Sequence, residues 1–248
     1  MKVSPNKWLI NAQAKPSASI NLVCFTFGGG GASVYRPWGV QLPANVNLWA
    51  VQLPGRENRF NEPFAEDYRD VVKGVFEDLD ALGLTNLVLF GHSMGAHFAT
   101  LTAQQLERIG RNRPRMLIVS GIKPPSLAKH KEWANAPDDE LQNHVISLGA
   151  MPDEVRDNEG FLEMYMEKIR ADYKLYESVP QDTPVKVRCS MMALFGDSDP
   201  LVNEGEFTHW RDYAGADISF QAFKGGHFYF QPDSAPLTQL LSDILRRF

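Results

Sequence analysis

A mostly parallel α/β sheet with helices on both faces is the architecture this sequence predicts, from three observations. Short apolar runs recur along the 248 residues, with helix-length amphipathic stretches between them. Several of these runs are almost continuously apolar instead of alternating, as strands buried on both faces are. One long stretch near the middle has no strand signal and two helical patterns, so an insertion interrupts the alternation.

The expected strands are Trp8–Ile10, Leu22–Phe27, Leu48–Gln52, Leu87–Phe90, Met116–Ser120, Met191–Phe195 and Ile218–Phe223. Tyr68, Val71, Val72, Val75, Phe76, Leu79 and Leu82 recur at helical spacing, and Gly83 ends that helix. Leu237, Leu240, Leu241, Ile244, Leu245 and Phe248 mark one face of a final helix. Pro124-Pro125 stops the chain after Lys123, and Asp138-Asp139-Glu140 reads as the acidic start of a helix running to about Leu148. A second helix carries Phe161, Met164, Tyr165, Ile169, Tyr173 and Tyr176 on one stripe before Pro180 and Pro184. The insertion, about 123–184, is expected to form a lid over the strand ends, with a plain packing pair as the alternative. Residues 1–248 are expected to form a single domain with that insertion.

Composition narrows the function classes. The chain is 44% hydrophobic with net charge −5 and pI near 5.7, and no basic tract is present to neutralise phosphates, so nucleic acid is not an expected partner. Cys24 and Cys189 lie in apolar runs and are expected to be buried free thiols. No apolar h-region or membrane-length run occurs, so a soluble cytoplasmic protein is the expectation; the residues do not read out oligomeric state, and a monomer is the default.

Gly91-His92-Ser93-Met94-Gly95 follows the strand Leu87–Phe90 and opens a helix. Gly-x-Ser-x-Gly between strand and helix is the nucleophile elbow of an α/β-hydrolase. The turn lifts the serine hydroxyl above the sheet edge. It also sets the Met94 N–H at a helix start, where amides lack helical partners and face developing negative charge. A serine needs a base, and in this fold the acid and then the histidine follow it in the chain. His227, in the flexible Lys224-Gly225-Gly226 loop after the last strand, is favoured over His209, which sits in a helical stretch. His92, at the tight turn, is expected to point away from Ser93. His130 and His144 fall in the insertion, where surface positions are open to them. The acid is Asp197 or Asp199; Asp199-Pro200 also reads as a helix cap, and chemistry alone does not choose. Gly28-Gly29-Gly30-Gly31 is the candidate oxyanion loop. A dinucleotide fingerprint fails because Ser33 stands where a glycine is needed, and no metal motif such as His-Glu-x-x-His is present.

Taken together, these segments resemble the type II (external) thioesterases of nonribosomal peptide and polyketide synthesis and their medium-chain fatty acyl thioesterase relatives. The resemblance runs from Trp8 to the last helix. It is carried by Cys24–Gly30 followed by Tyr35-Arg36-Pro37-Trp38, Gln52-Leu53-Pro54-Gly55-Arg56-Glu57 with Arg59, the elbow, Ile169-Arg170-Ala171-Asp172-Tyr173, and Gly226-His227-Phe228. Thr26 and Gly28 depart from it, standing where proline and alanine are usual. The resemblance implies a Ser93–Asp199–His227 triad, choosing Asp199 over Asp197. It implies Gly28 and Met94 as oxyanion donors. Met164, Tyr165 and Phe228 are candidate substrate-binding residues.

The implied reaction removes acyl or aminoacyl groups from the phosphopantetheine arm of carrier protein domains, met transiently, with no metal or cofactor. Its role is the proofreading of a synthase. A general carboxylesterase, a medium-chain fatty acyl thioesterase and a catalytically silent binding protein of the same fold are the alternatives. Lys123, Lys129, His130 and Lys131 form the candidate basic contact for an acidic carrier, or else a solvated loop.

Overall fold

A computed structural model describes residues 7–127, 132–181 and 183–248 of the chain. Seven strands form one sheet: β1 (Leu9–Gln13), β2 (Ile20–Phe25), β3 (Val46–Val51), β4 (Leu87–His92), β5 (Met116–Ser120), β6 (Ser190–Gly196) and β7 (Ile218–Phe223). Their order is β1-β3-β2-β4-β5-β6-β7. Among the described residues, only the β1–β3 pair is antiparallel. β5 and β7 have the ends expected from the sequence. β2 stops at Phe25, two residues early, which leaves Thr26 and Phe27 to the loop. β4 runs on through Gly91 and His92.

The helices are α1 (Arg36–Gln41), α2 (Tyr68–Ala81), α3 (Met94–Ile109), α4 (Asp138–Ser147), α5 (Asp153–Arg156), α6 (Glu159–Glu177), α7 (Glu204–Phe207) and α8 (Ala235–Leu245). Among the described residues, no helix is long and apolar enough to cross a membrane. The core divides by sheet face, as two-sided coverage requires. Val23, Phe25, Leu87 and Leu89 pack with Val71 and Val75 of α2 and with Phe98 of α3. Leu22, Cys24, Val88 and Phe90 pack on the other face with Trp38 of α1 and Leu241 of α8. Cys24 and Cys189 are free and buried, as expected.

α4, α5 and α6 fall between β5 and β6, in the stretch expected as an insertion. They hold a small apolar cluster of their own, Leu141, Val145, Met151 and Ile169, separate from both sheet faces.

The elbow is seated by close backbone approach. A Cβ on Gly95 would lie 2.4 Å from the Phe25 carbonyl oxygen and 2.6 Å from that of Thr26, and one on Gly91 would lie 2.2 Å from the Gly95 oxygen. Helix α3 can therefore start against the end of β2 only if both positions lack a side chain. Gly95→Ala should lower stability by about 1–3 kcal/mol, the usual cost of overpacking, read as a drop in urea midpoint. Gly28→Ala meets nothing within 4 Å and should leave the midpoint unchanged or slightly raised.

Candidate active site

Ser93 joins β4 to α3 with φ 55° and ψ −131°, a strained conformation for a residue with a side chain. Its amide donates to the Ser120 carbonyl at 2.8 Å, which ties the turn to the end of β5. Met94 is the first residue of α3, so its N–H belongs to the first turn, where amides have no helical acceptor.

The loop after β6 and the loop after β7 lock together. Gly196 lies so near the second loop that a Cβ there would be 2.1 Å from the Gly226 oxygen. The Ser198 amide donates to the Gly225 carbonyl at 2.9 Å. This register brings His227 Nδ1 within 2.8 Å of Asp199 Oδ2, and both side chains are buried. The other Asp199 oxygen accepts from the Leu201 amide at 2.9 Å, so one carboxylate both faces the imidazole and closes a local turn. Asp197 is exposed and accepts instead from the Gly225 amide at 3.0 Å and from Ser198 Oγ at 2.9 Å. Those bonds, the backbone one foremost, hold its carboxyl below the usual range. His209 is exposed and faces Asp212 at 3.0 Å.

Ser93, Met94 and Gly28 border one chamber of about 310 Å³. That size falls within the range of small-molecule sites, about 300–1,000 Å³. Trp133, His144, Tyr173 and Tyr176 of the inserted segment line it too. His144 is thus a half-buried wall residue, stacked 3.9 Å from Trp133. Met164, Tyr165 and Phe228 line a second, larger cavity of about 800 Å³ beside Gly29, Gly30 and Gly31. The stripe of α6 therefore serves both spaces: its end near Met164 faces the larger cavity, and Tyr173 and Tyr176 face Ser93. Lys123 also borders the chamber and pairs with Glu206 at 3.3 Å. Lys129, His130 and Lys131 lie outside the described residues.

Two further sequence motifs meet between the cavities. The Arg56 guanidinium donates to both Asp172 oxygens, at 2.7 and 2.6 Å, with both side chains almost fully buried. Removing one partner from such a pair costs about 3–5 kcal/mol, whereas replacing both by apolar groups is often neutral. A separation of 116 positions hid the pair from sequence reasoning.

The family model of the Thioesterase domain matches residues 20–248. The chain belongs to the thioesterase domain family. Thioesterase PikA5 of Streptomyces venezuelae is 30% identical to it over 246 residues, 99% of this chain and 88% of that one. Linear gramicidin dehydrogenase LgrE of Brevibacillus parabrevis is also 30% identical, over 99% and 95% of the two chains. The solved structure of the type II thioesterase BorB, from the borrelidin biosynthetic cluster, superposes with a TM-score of 0.87 at 30% identity, covering 99% of this chain and 100% of that one.

In this thioesterase-family chain His92 does not simply turn away from the site. Its ring is fully buried and lies 4.7 Å, centroid to centroid, from that of His227. Nδ1 shares a 2.9 Å hydrogen bond with Ser120 Oγ, which in turn meets the Tyr229 hydroxyl at 2.7 Å. Nε2 is buried without a hydrogen-bond partner. Burial first, and His227 second, hold the His92 imidazolium pKa well below its ordinary value. The unfolded chain protonates this histidine near pH 6.5 while the folded chain still declines the proton. Stability contributed by neutral His92 is therefore present above about pH 6.5 and lost as the pH falls below it. His92→Gln should lose less Tm than wild type between pH 7.5 and pH 5; equal losses would remove His92 as a source of acid sensitivity.

Proposed function

We propose that the chain is a type II thioesterase that hydrolyses acyl or aminoacyl thioesters from the phosphopantetheine arm of carrier protein domains, clearing stalled groups from a nonribosomal peptide or polyketide synthase. The observation that carries this reading is the meeting of Ser93, Met94 and Gly28 on one chamber walled by the inserted helices. The buried His227–Asp199 pair supports it from the same end of the sheet. The His227 ring lies beside Gly121, the residue after the Ser120 carbonyl that holds the Ser93 amide.

In this reading Ser93 Oγ attacks the thioester carbon while His227 Nε2 takes its proton. Asp199 fixes the imidazole tautomer through Nδ1 and stabilises the imidazolium. The negative charge on the former carbonyl oxygen is met by the N–H groups of Gly28 and Met94. Collapse breaks the carbon–sulfur bond. The sulfur leaves and takes the imidazolium proton, which restores His227 as a base; because a thiol has pKa about 8.5, its departure needs less acid help than an amine's. Water then attacks the acyl-serine, with His227 again as base, and releases the free acid and Ser93. The reaction so written needs no metal or dissociable cofactor.

The inserted helices act as the lid and supply the acyl chamber. The carrier is met transiently, because the chain carries −5 and typical carriers are acidic as well. The redox activity in the name of the Brevibacillus relative has no counterpart in these residues. Ser33 breaks the dinucleotide pattern, and the Gly29 amide that would meet a pyrophosphate is taken by the Asp172 carboxylate.

Mass spectrometry of a panel of acyl-loaded carrier proteins, incubated with wild type and with Ser93→Ala, tests the reading. Wild type should return free carrier and acid; hydrolysis of simple esters with none of the carriers would make this a general esterase. Ser93→Ala should abolish acyl-enzyme and cut turnover by several orders of magnitude; a variant keeping a tenth of wild-type rate would exclude Ser93 as nucleophile. Asp199→Asn should cost about 10³–10⁴-fold in kcat, and Asp197→Asn should be mild. The reverse order would move the acid to Asp197.

A further inference from the structure

The Arg56–Asp172 pair holds more than the inserted helix. Asp172 Oδ2 also accepts the Gly29 amide at 2.7 Å, and Arg56 Nη1 donates to the Gly30 carbonyl at 3.0 Å. Residues 27–30 form a tight turn. The Gly30 amide donates to the Phe27 carbonyl at 2.9 Å, and Gly29 has φ +79°. That pattern is a type II turn with Gly28 and Gly29 as its central residues. The peptide between two glycines can flip at little steric cost, because the flip changes Gly28 ψ and Gly29 φ and neither residue has a side chain to resist it. A flip would exchange the Gly29 N–H for the Gly28 carbonyl oxygen on the side where Asp172 lies. Gly28 and Asp172 both border the Ser93 chamber. The flip would therefore turn the negative end of a peptide dipole toward the place where a thioester oxyanion grows.

The geometry points to Asp172 and Arg56 as positioning residues of the oxyanion hole. Asp172, on lid helix α6, holds the Gly28–Gly29 peptide in its productive orientation, and Arg56 neutralises a carboxylate that would otherwise oppose the oxyanion. The hole is then fully formed only while α6 is seated. This inference rests on the assignment of Gly28 as an oxyanion donor. It adds that the lid keeps the next carbonyl, that of Gly28, turned away from the oxyanion that the Gly28 N–H meets.

Two double variants separate this role from simple stabilisation. R56M/D172N removes both charges and keeps a side-chain oxygen for the Gly29 amide. R56M/D172L removes the charges and the acceptor together, at similar volume. The readouts are kcat on a small acyl-pantetheine, affinity for an acyl trifluoromethyl ketone whose serine adduct carries an oxyanion, and affinity for the unreactive ether analogue.

R56M/D172L should lose at least tenfold in kcat and in ketone affinity together, up to the roughly 10²–10³-fold cost of losing a donor outright. Its affinity for the ether should hold, and R56M/D172N should stay within a few-fold of wild type on all three. Equal behaviour of the two double variants, or a parallel fall in ether affinity, would overturn the inference. The Gly29 amide in wild type supplies a measurement that does not depend on a variant folding. Its hydrogen exchange should be strongly protected with and without the ketone, and exchange at the rate of an open loop would also overturn it. Failure of wild type to form a ketone adduct that Ser93→Ala abolishes would instead strike the oxyanion-hole reading itself, and this inference with it.

Discussion

The backbone of Gly95 pressed against the carbonyls of Phe25 and Thr26 is the constraint on which the remaining site geometry depends. It fixes the start of α3 beside the end of β2. One strand end then supplies the strained serine and the other supplies the glycine loop, across a gap that neither could bridge alone. The strain at Ser93 persists because its surroundings over-determine it. The amide is held by Ser120 on β5, and helix α3 pulls from the other side. The histidine loop is held separately, by the Gly196 contact and the Asp197–Gly225 bond. The candidate triad thus comes from three strand ends, each anchored by backbone contacts before any side chain is considered.

Polar links join the inserted helices to this frame, and the buried one among them is costly to break. Most of their apolar contacts form a cluster of their own, while Leu175 near the end of α6 and Val179 just after it bury into the main core. The Arg56–Asp172 pair is the buried tie to α6, and Lys174–Glu66 is an exposed one. An ion pair is directional where an apolar contact is not. A seat defined by such pairs specifies one position of α6 and gives little stability for intermediate ones.

Much of this was legible in the sequence, for identifiable reasons. The strands were visible because a two-sided sheet needs unbroken apolar runs, and Ser93 and His227 because their loops need glycine at set places. The two loop aspartates were left open by chemistry, and the structure separates them by burial: Asp199 is inside beside His227, and Asp197 is outside. The chamber wall was misjudged because helical periodicity locates a stripe around a helix but not the position along it that meets a cavity. Met164 and Tyr173 share that stripe and face different spaces. The partnership of His92 with His227, and that of Arg56 with Asp172, are long-range contacts with no local signature.

Helix α6 has 19 residues, with its buried positions Ile169, Asp172 and Leu175 toward one end. Phe161 and Met164, near the other end, are more than half and half exposed, at 57% and 50%. At 1.5 Å per residue, Phe161 stands about 16 Å from Asp172 along the axis. The helix is therefore a cantilever clamped at the oxyanion loop. A tilt of about 10° at the clamp would carry the tip about 3 Å across the rim of the larger cavity. Mechanical leverage of this kind runs in both directions. The exposed tip and the buried clamp are thus two ends of one helix, so a displacement at the rim of the larger cavity acts with leverage on the contact between Asp172 and the Gly29 amide.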